Sequence, residues 1–155
     1  MARRAGFRRV VVGVDGSRNS RRAAAFLARF KPPRGGRVTC VQVVELMRVP
    51  STPLLPGGMR ARIVGEVEAM NRTRRSAAGR RVEVVAATLA RSGWRATGVV
   101  RTGVPFAELL AAVRRARADT LVLGARGAGA MSHLLLGSVA EAAVKQAPVA
   151  VLIVK

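Results

Sequence analysis

The residues best placed to do chemistry lie near the end of the chain. In GARGAGAMSHLLLGS, residues 124–138, Gly124 is followed after two residues by Gly127, and after nine more by the pair Gly137-Ser138. Glycine is costly to order, so clustered glycines are kept where a turn needs positive φ or where a ligand must approach the main chain. VAEAAVKQ follows at once with helical spacing. The first amides of a helix lack intrahelical partners and the helix dipole adds positive potential, so the backbone N–H groups of Gly137 and Ser138 would point at a bound anion. Gly124, Gly127 and Gly129 would let the main chain wrap a phosphate without Cβ clashes. The pattern is not a Walker A loop, since GxxxxGK[ST] is absent, nor is it GxGxxG, since the order is GxxGxG. Ser138 and Glu141 also have the S-x-x-E spacing of a capping box, so Ser138 reads either as a helix cap or as a ligand contact.

Asp15 is the second residue of interest, and the elements around both must bring them together. VVVGV at 10–14, which Asp15 ends, is short, apolar and β-branched, as a buried strand is. Ser17 is an N-cap for the helical pattern RNSRRAAAFLARF, and KPPRGG at 31–36 stops it. VTCVQVVE at 38–45 is a second strand, and prolines 50, 53 and 56 mark a loop. A proline-free stretch from about 59 to 91 reads as one helix, weakened at Gly65 and Gly79. RATGVVR at 95–101 is a third strand despite Gly98, and residues 104–116 form a helix with Pro105 in its first turn. A short strand at 120–123 precedes the glycine loop, a helix occupies 139–146, and VAVLIV from Val149 to Val154 is the last strand. Such βα alternation predicts an α/β fold, a parallel sheet with helices on both faces, in a single domain spanning 1–155. Ligands of such sheets sit at the carboxyl ends of strands, at the switch point. If the first and fourth strands are neighbours, Asp15 and the glycine loop face each other across one crevice.

Composition narrows the chemistry. Lys and Arg number 28 against 8 Asp and Glu, a net charge of +20, and the only lysines are Lys31, Lys145 and Lys155. One cysteine, Cys40, excludes an internal disulfide and reads as a core residue; the lone histidine, His133, reads as a loop residue without a catalytic role. The basic start MARRAGFRR is followed by an apolar run that Asp15 ends too early for a secretory or membrane segment, so the expected compartment is the cytoplasm. Leu134 to Leu136 are expected to pack against the domain or a partner subunit rather than to enter a membrane. A basic surface attracts phosphate chains. However, the charge is spread over every helix, there is no tyrosine, and Trp94 is the only tryptophan, so stacking platforms for single strands are missing. Nucleic-acid binding is therefore expected to be weak and non-specific.

The spacing G-2x-G-9x-G-S resembles the G-2x-G-9x-G-[S/T] pattern of the ATP-binding branch of the universal stress protein family. VVVGVDGS is similar to that family's first strand with its terminal aspartate, VQVVE to its second strand, TGVPFAELL to the opening of its third helix, and QAPVAVLIVK to its closing strand. The resemblance implies a five-stranded parallel sheet of order 3-2-1-4-5, an adenine nucleotide alpha hydrolase-like, Rossmann-like arrangement, and a homodimer. Carried onto this sequence, it implies that Val14 and Asp15 stand near the ribose or a phosphate-bound metal, Asp15 acting indirectly through Mg-ATP. It implies that Val43 holds adenine through its backbone, and that Gly124, Gly127, Gly137, Ser138 and Val139 line the phosphates and ribose. Arg126, between the first two glycines, adds charge toward the phosphate by its position.

Three functions are weighed. The first, and favoured, is a stress protein that binds ATP, or ADP or AMP, with or without Mg²⁺, as a regulatory ligand. The second is a slow ATPase or nucleotidyl transferase on the same fold; of the acidic residues only Asp15 falls at the crevice, whereas general-base or two-metal chemistry usually needs a second positioned group. The third is a basic polyanion-binding protein with a vestigial loop. The unpunctuated apolar strand Val149 to Val154, an edge in the implied order, invites pairing with a second copy.

Overall fold

In the computed structural model, which describes residues 7–49, 56–129 and 135–155, strands and helices alternate along the chain. They are β1 (Arg9–Gly13), α1 (Arg18–Ala28), β2 (Arg37–Val44), α2 (Gly57–Arg91), β3 (Arg95–Thr102), α3 (Pro105–Ala116), β4 (Thr120–Gly124), α4 (Ser138–Gln146) and β5 (Ala150–Val154). The strands form one five-stranded sheet in the order β3-β2-β1-β4-β5, every pair parallel. Each expected element is present, with ends moved by one or two residues. Prolines 50 and 53, His133 and Leu134 lie outside the described residues.

The sheet separates two apolar layers, as strand alternation requires. Val10 and Val12 of β1 pack with Ala23, Ala24 and Leu27 of α1 and with Val82, Ala86 and Leu89 of α2. Val11 points the other way, onto Leu109 and Val113 of α3, with Ala143 of α4 in the same layer. Cys40 is fully buried in the first layer, and burial pushes its thiol up to about 12, so it behaves as a small apolar side chain. Trp94 is buried there too.

One local expectation changes and another narrows. Helix α2 runs unbroken through Gly65 and Gly79, both with open space where a side chain would stand. Its hydrophobic side is anchored by Val82, Val85 and Leu89 on the sheet, and tertiary packing outweighs the glycine penalty. Leu135 is 83% exposed, so it does not pack against its own domain.

Candidate functional site

β1 and β4 are adjacent, and the connections from their carboxyl ends leave toward opposite faces of the sheet, to α1 and α4. This divergence opens a cleft of about 500 Å³ at the switch point. Val14, Asp15, Val43, Gly124, Arg126, Gly127, Gly137, Ser138 and Val139 all line it, so the tertiary structure brings the nine residues singled out in the sequence to one place.

Asp15 fastens the two loops that frame the cleft. Its Oδ1 accepts the Ser17 amide at 2.9 Å, and its Oδ2 accepts the Ala128 amide, across the cleft mouth, at 2.9 Å. Burial pushes the Asp15 carboxyl up, but hydrogen bonds from the Ser17 hydroxyl and amide, the Ser20 hydroxyl and the Ala128 amide outweigh it and hold the group below its ordinary value. Ser17, the N-cap of α1, accepts the Ser20 amide through its side chain, so it is Ser17 and not Asp15 that caps this helix. Asn19 Nδ2 donates to the Arg126 carbonyl at 3.3 Å, and the Ser17 hydroxyl lies at the same distance from it.

The glycines divide into two kinds. A Cβ on Gly124 would stand 2.6 Å from the Asn19 carbonyl carbon and 2.7 Å from the Ser20 nitrogen, so this glycine is required by the approach of α1. A Cβ on Gly127 would stand 2.8 Å from Asp15 Oδ2, and one on Gly137 would stand 3.3 Å from the Gly127 nitrogen. These two keep the loop pressed against Asp15 and against the start of α4.

The capping-box reading of Ser138 is overturned. The N-cap is Gly137, whose own amide donates to the Ala125 carbonyl at 2.8 Å and is therefore committed to the loop. Ser138 is the first helical residue, and the Glu141 carboxylate turns away to Lys145 Nζ at 2.6 Å. The first intrahelical bond runs from the Glu141 amide to the Gly137 carbonyl. The amides of Ser138, Val139 and Ala140 precede it, no side chain among the described residues caps them, and all three residues line the cleft. The anion donors are thus shifted one residue beyond the Gly137-Ser138 pair.

The far end of the cleft is a strand edge. The Val14 amide donates to the Val41 carbonyl at 2.8 Å, and the Gly103 amide donates to the Val44 carbonyl at 3.2 Å. Odd positions of β2 therefore turn their backbone toward β1 and even positions toward β3. The β1 ladder pairs only as far as Gly13 with Val41. The next odd position, Val43, thus presents one N–H and one C=O to the space that β1 has left. Sequence reasoning missed Gln42 beside it. Gln42 is 7% exposed and lines the cleft, and its Oε1 has no hydrogen-bond partner among the described residues, a costly state that a ligand donor or a water would relieve. A lone long amide inside the apolar run VTCVQVVE was the available signal. Among the described residues no three His, Cys, Asp or Glu side chains gather to hold a metal, and no helix is long and apolar enough to cross a membrane.

Comparison with known proteins agrees with this geometry. A model of the Universal stress protein family matches residues 6–155. A Thermus aquaticus protein, universal stress protein in QAH/OAS sulfhydrylase 3'region, is 31% identical over 152 residues, covering 96% of this chain and 99% of its own length. Hypothetical protein MJ0577 has a similar structure, with a TM-score of 0.80 at 19% identity over 96% of each chain. A universal stress protein in complex with cAMP gives a TM-score of 0.63 at 21% identity over 94% of this chain and 95% of its own. The Archaeoglobus fulgidus universal stress protein in complex with dAMP gives 0.59 at 21% identity over 94% and 96%. At these identities the three structures speak to the fold.

Proposed function

This chain belongs to the universal stress protein family, and on that premise we propose that its cleft binds an adenine nucleotide, ATP first, as a regulatory ligand in a stress response. One observation carries the reading. A single cleft has an open strand edge at Val43 and three uncapped helix amides, Ser138 to Ala140, at the start of α4. An N–H and C=O pair matches a base edge that offers an acceptor beside an amino donor, as adenine does. Helix-terminal amides match phosphates. The cAMP and dAMP complexes of related folds support adenine as the base.

Asp15 has two parts to play in this reading. Its carboxylate holds the glycine loop, and its remaining lone pairs face the ribose or a Mg²⁺ carried in by the phosphates. A single carboxylate suits Mg²⁺, which is commonly held by one or two carboxylates together with substrate phosphates. The same hydrogen bonds that hold Asp15 ionised make it a weak general base. Glu45, the other carboxylate lining the cleft, is exposed. The site is thus better built to hold a nucleotide than to hydrolyse one.

The test is calorimetric titration of ATP, with thermal melts of each variant without ligand. Gly127→Val displaces the loop from Asp15, and affinity should fall more than tenfold, about 1.4 kcal/mol or more. Ser138 caps nothing, so Ser138→Ala should leave the melting temperature nearly unchanged while weakening ATP binding. Full ATP affinity in both variants would refute the assignment.

A further inference from the structure

The Gly127 amide has no hydrogen-bond partner among the described residues, and Gly127 is exposed and lines the cleft. The groups on both sides of it are tied down. The Ala128 amide is held by Asp15 Oδ2 at 2.9 Å, and the Arg126 carbonyl is held by Asn19 Nδ2 at 3.3 Å. The Ser17 hydroxyl, at the same distance from that carbonyl, is engaged with Asp15 and with the Ser20 amide. Asn19 is therefore the side chain that fixes the Arg126–Gly127 peptide.

That peptide is planar and trans, so its N–H points opposite to its C=O. With the carbonyl turned to α1, the Gly127 N–H turns away from α1, toward the start of α4. The surroundings of Gly137 agree with this direction. A Cβ there would stand 3.3 Å from the Gly127 nitrogen, so the missing side chain leaves the space before this amide open. The uncapped amides of Ser138, Val139 and Ala140 face the same cleft. Asn19 reaches the loop because α1 comes close here. Gly124 has no Cβ, and one would stand 2.8 Å from Asn19 Cβ. Asparagine forms helix poorly because its amide seeks other backbone groups. In the first turn of α1, Asn19 uses that amide on the facing loop.

We propose that Asn19 is a positioning residue for the nucleotide phosphates: it locks the Arg126–Gly127 peptide with its N–H facing the α4 amides, so that loop and helix hold one phosphate together. The inference rests on the nucleotide reading of the cleft. A donor aimed in advance costs no ordering when the ligand arrives. A peptide free to rock would instead turn its carbonyl oxygen toward the anion. Hydrogen bonds to a charged oxygen are the strong ones, so the aim of a single amide matters. Adenosine carries no phosphate and has no use for this donor. Asn19 should therefore separate the two ligands, which a side chain that merely supported the fold would not do.

The experiment is calorimetric titration of ATP and of adenosine into the parent, Asn19→Ala and Asn19→Leu. Both variants are neutral and lack the donor, and the leucine keeps the branched shape. ATP affinity should fall about fivefold or more, while adenosine affinity stays at the parent's. Melting temperatures without ligand should change little, since Ala and Leu form helix better than Asn and offset the lost bond. Amide NMR spectra follow Gly127 directly. In the empty protein its signal should move in both variants. In the parent, ATP should move it and adenosine should not. Equal losses of ATP and adenosine affinity would mean that Asn19 only supports the fold. Unchanged ATP affinity in both variants would mean that the bond does not aim the amide. A Gly127 signal that ATP leaves in place would mean that this amide meets no phosphate. Each of these overturns the proposal and leaves the nucleotide reading standing. A parent that binds neither ligand removes both.

Discussion

Asp15 ties the two cleft loops together through one ionised carboxylate, and this sets a pH dependence. Its folded pKa lies below the unfolded value, so folding favours the ionised form. The stabilisation is complete above the unfolded pKa and is lost as pH falls through the folded one. Asp15→Asn keeps one acceptor and loses the charge. It should melt below the parent at pH 7, with the gap closing as pH falls below the ordinary carboxylate range of about 4. Melts of both proteins across that range measure it, and a gap that is constant with pH would show that the carboxylate charge contributes nothing.

At the scale of elements, glycines that look alike in the sequence should respond in opposite ways. Gly79 of α2 has open space where a Cβ would stand, so Gly79→Ala should raise stability by about 0.5–1 kcal/mol through the helix backbone alone. A Cβ on Gly98 of β3 would meet Val82 Cγ2 at 2.9 Å, and one on Gly124 would meet α1 backbone. Gly98→Val and Gly124→Val should therefore destabilise the protein, because α2 or α1 must retreat from the sheet. Urea unfolding of the three variants decides it. Gly124→Val losing ATP affinity with unchanged stability would reassign that glycine from helix packing to the ligand.

At the scale of the whole molecule, the sheet leaves β5 as an open edge beyond β4. We expect a homodimer formed by pairing of β5 with its two-fold mate, since an apolar edge without an internal charge invites such pairing. The Ala125 amide donates to the Val154 carbonyl, so even positions of β5 serve β4 and odd positions face outward. Val151→Pro then removes an outward amide that the monomer's own sheet does not need. Light scattering at tens of micromolar should show a dimer for the parent and a monomer for this variant. A monomeric parent would dismiss the interface.

The sequence alone determined the order and type of the elements, because each is written locally: a β-branched run for a strand, Ser17 for a helix start, Pro105 for a first turn. It also identified the residues that now line the cleft, because the glycine spacing and Asp15 are visible without a fold. What it left open were questions of distance between segments far apart in the chain. Whether Gly124 yields to a ligand or to α1, whether Ser138 or Gly137 caps α4, and whether Gln42 is satisfied all depend on which backbone arrives beside them. The arginine excess shows this most plainly. Along the chain Arg9, Arg37 and Arg95 are three unrelated positions in a spread of positive charge. Only the register of three parallel strands sets them side by side, because register is fixed by the buried faces of the whole sheet and not by the arginines themselves.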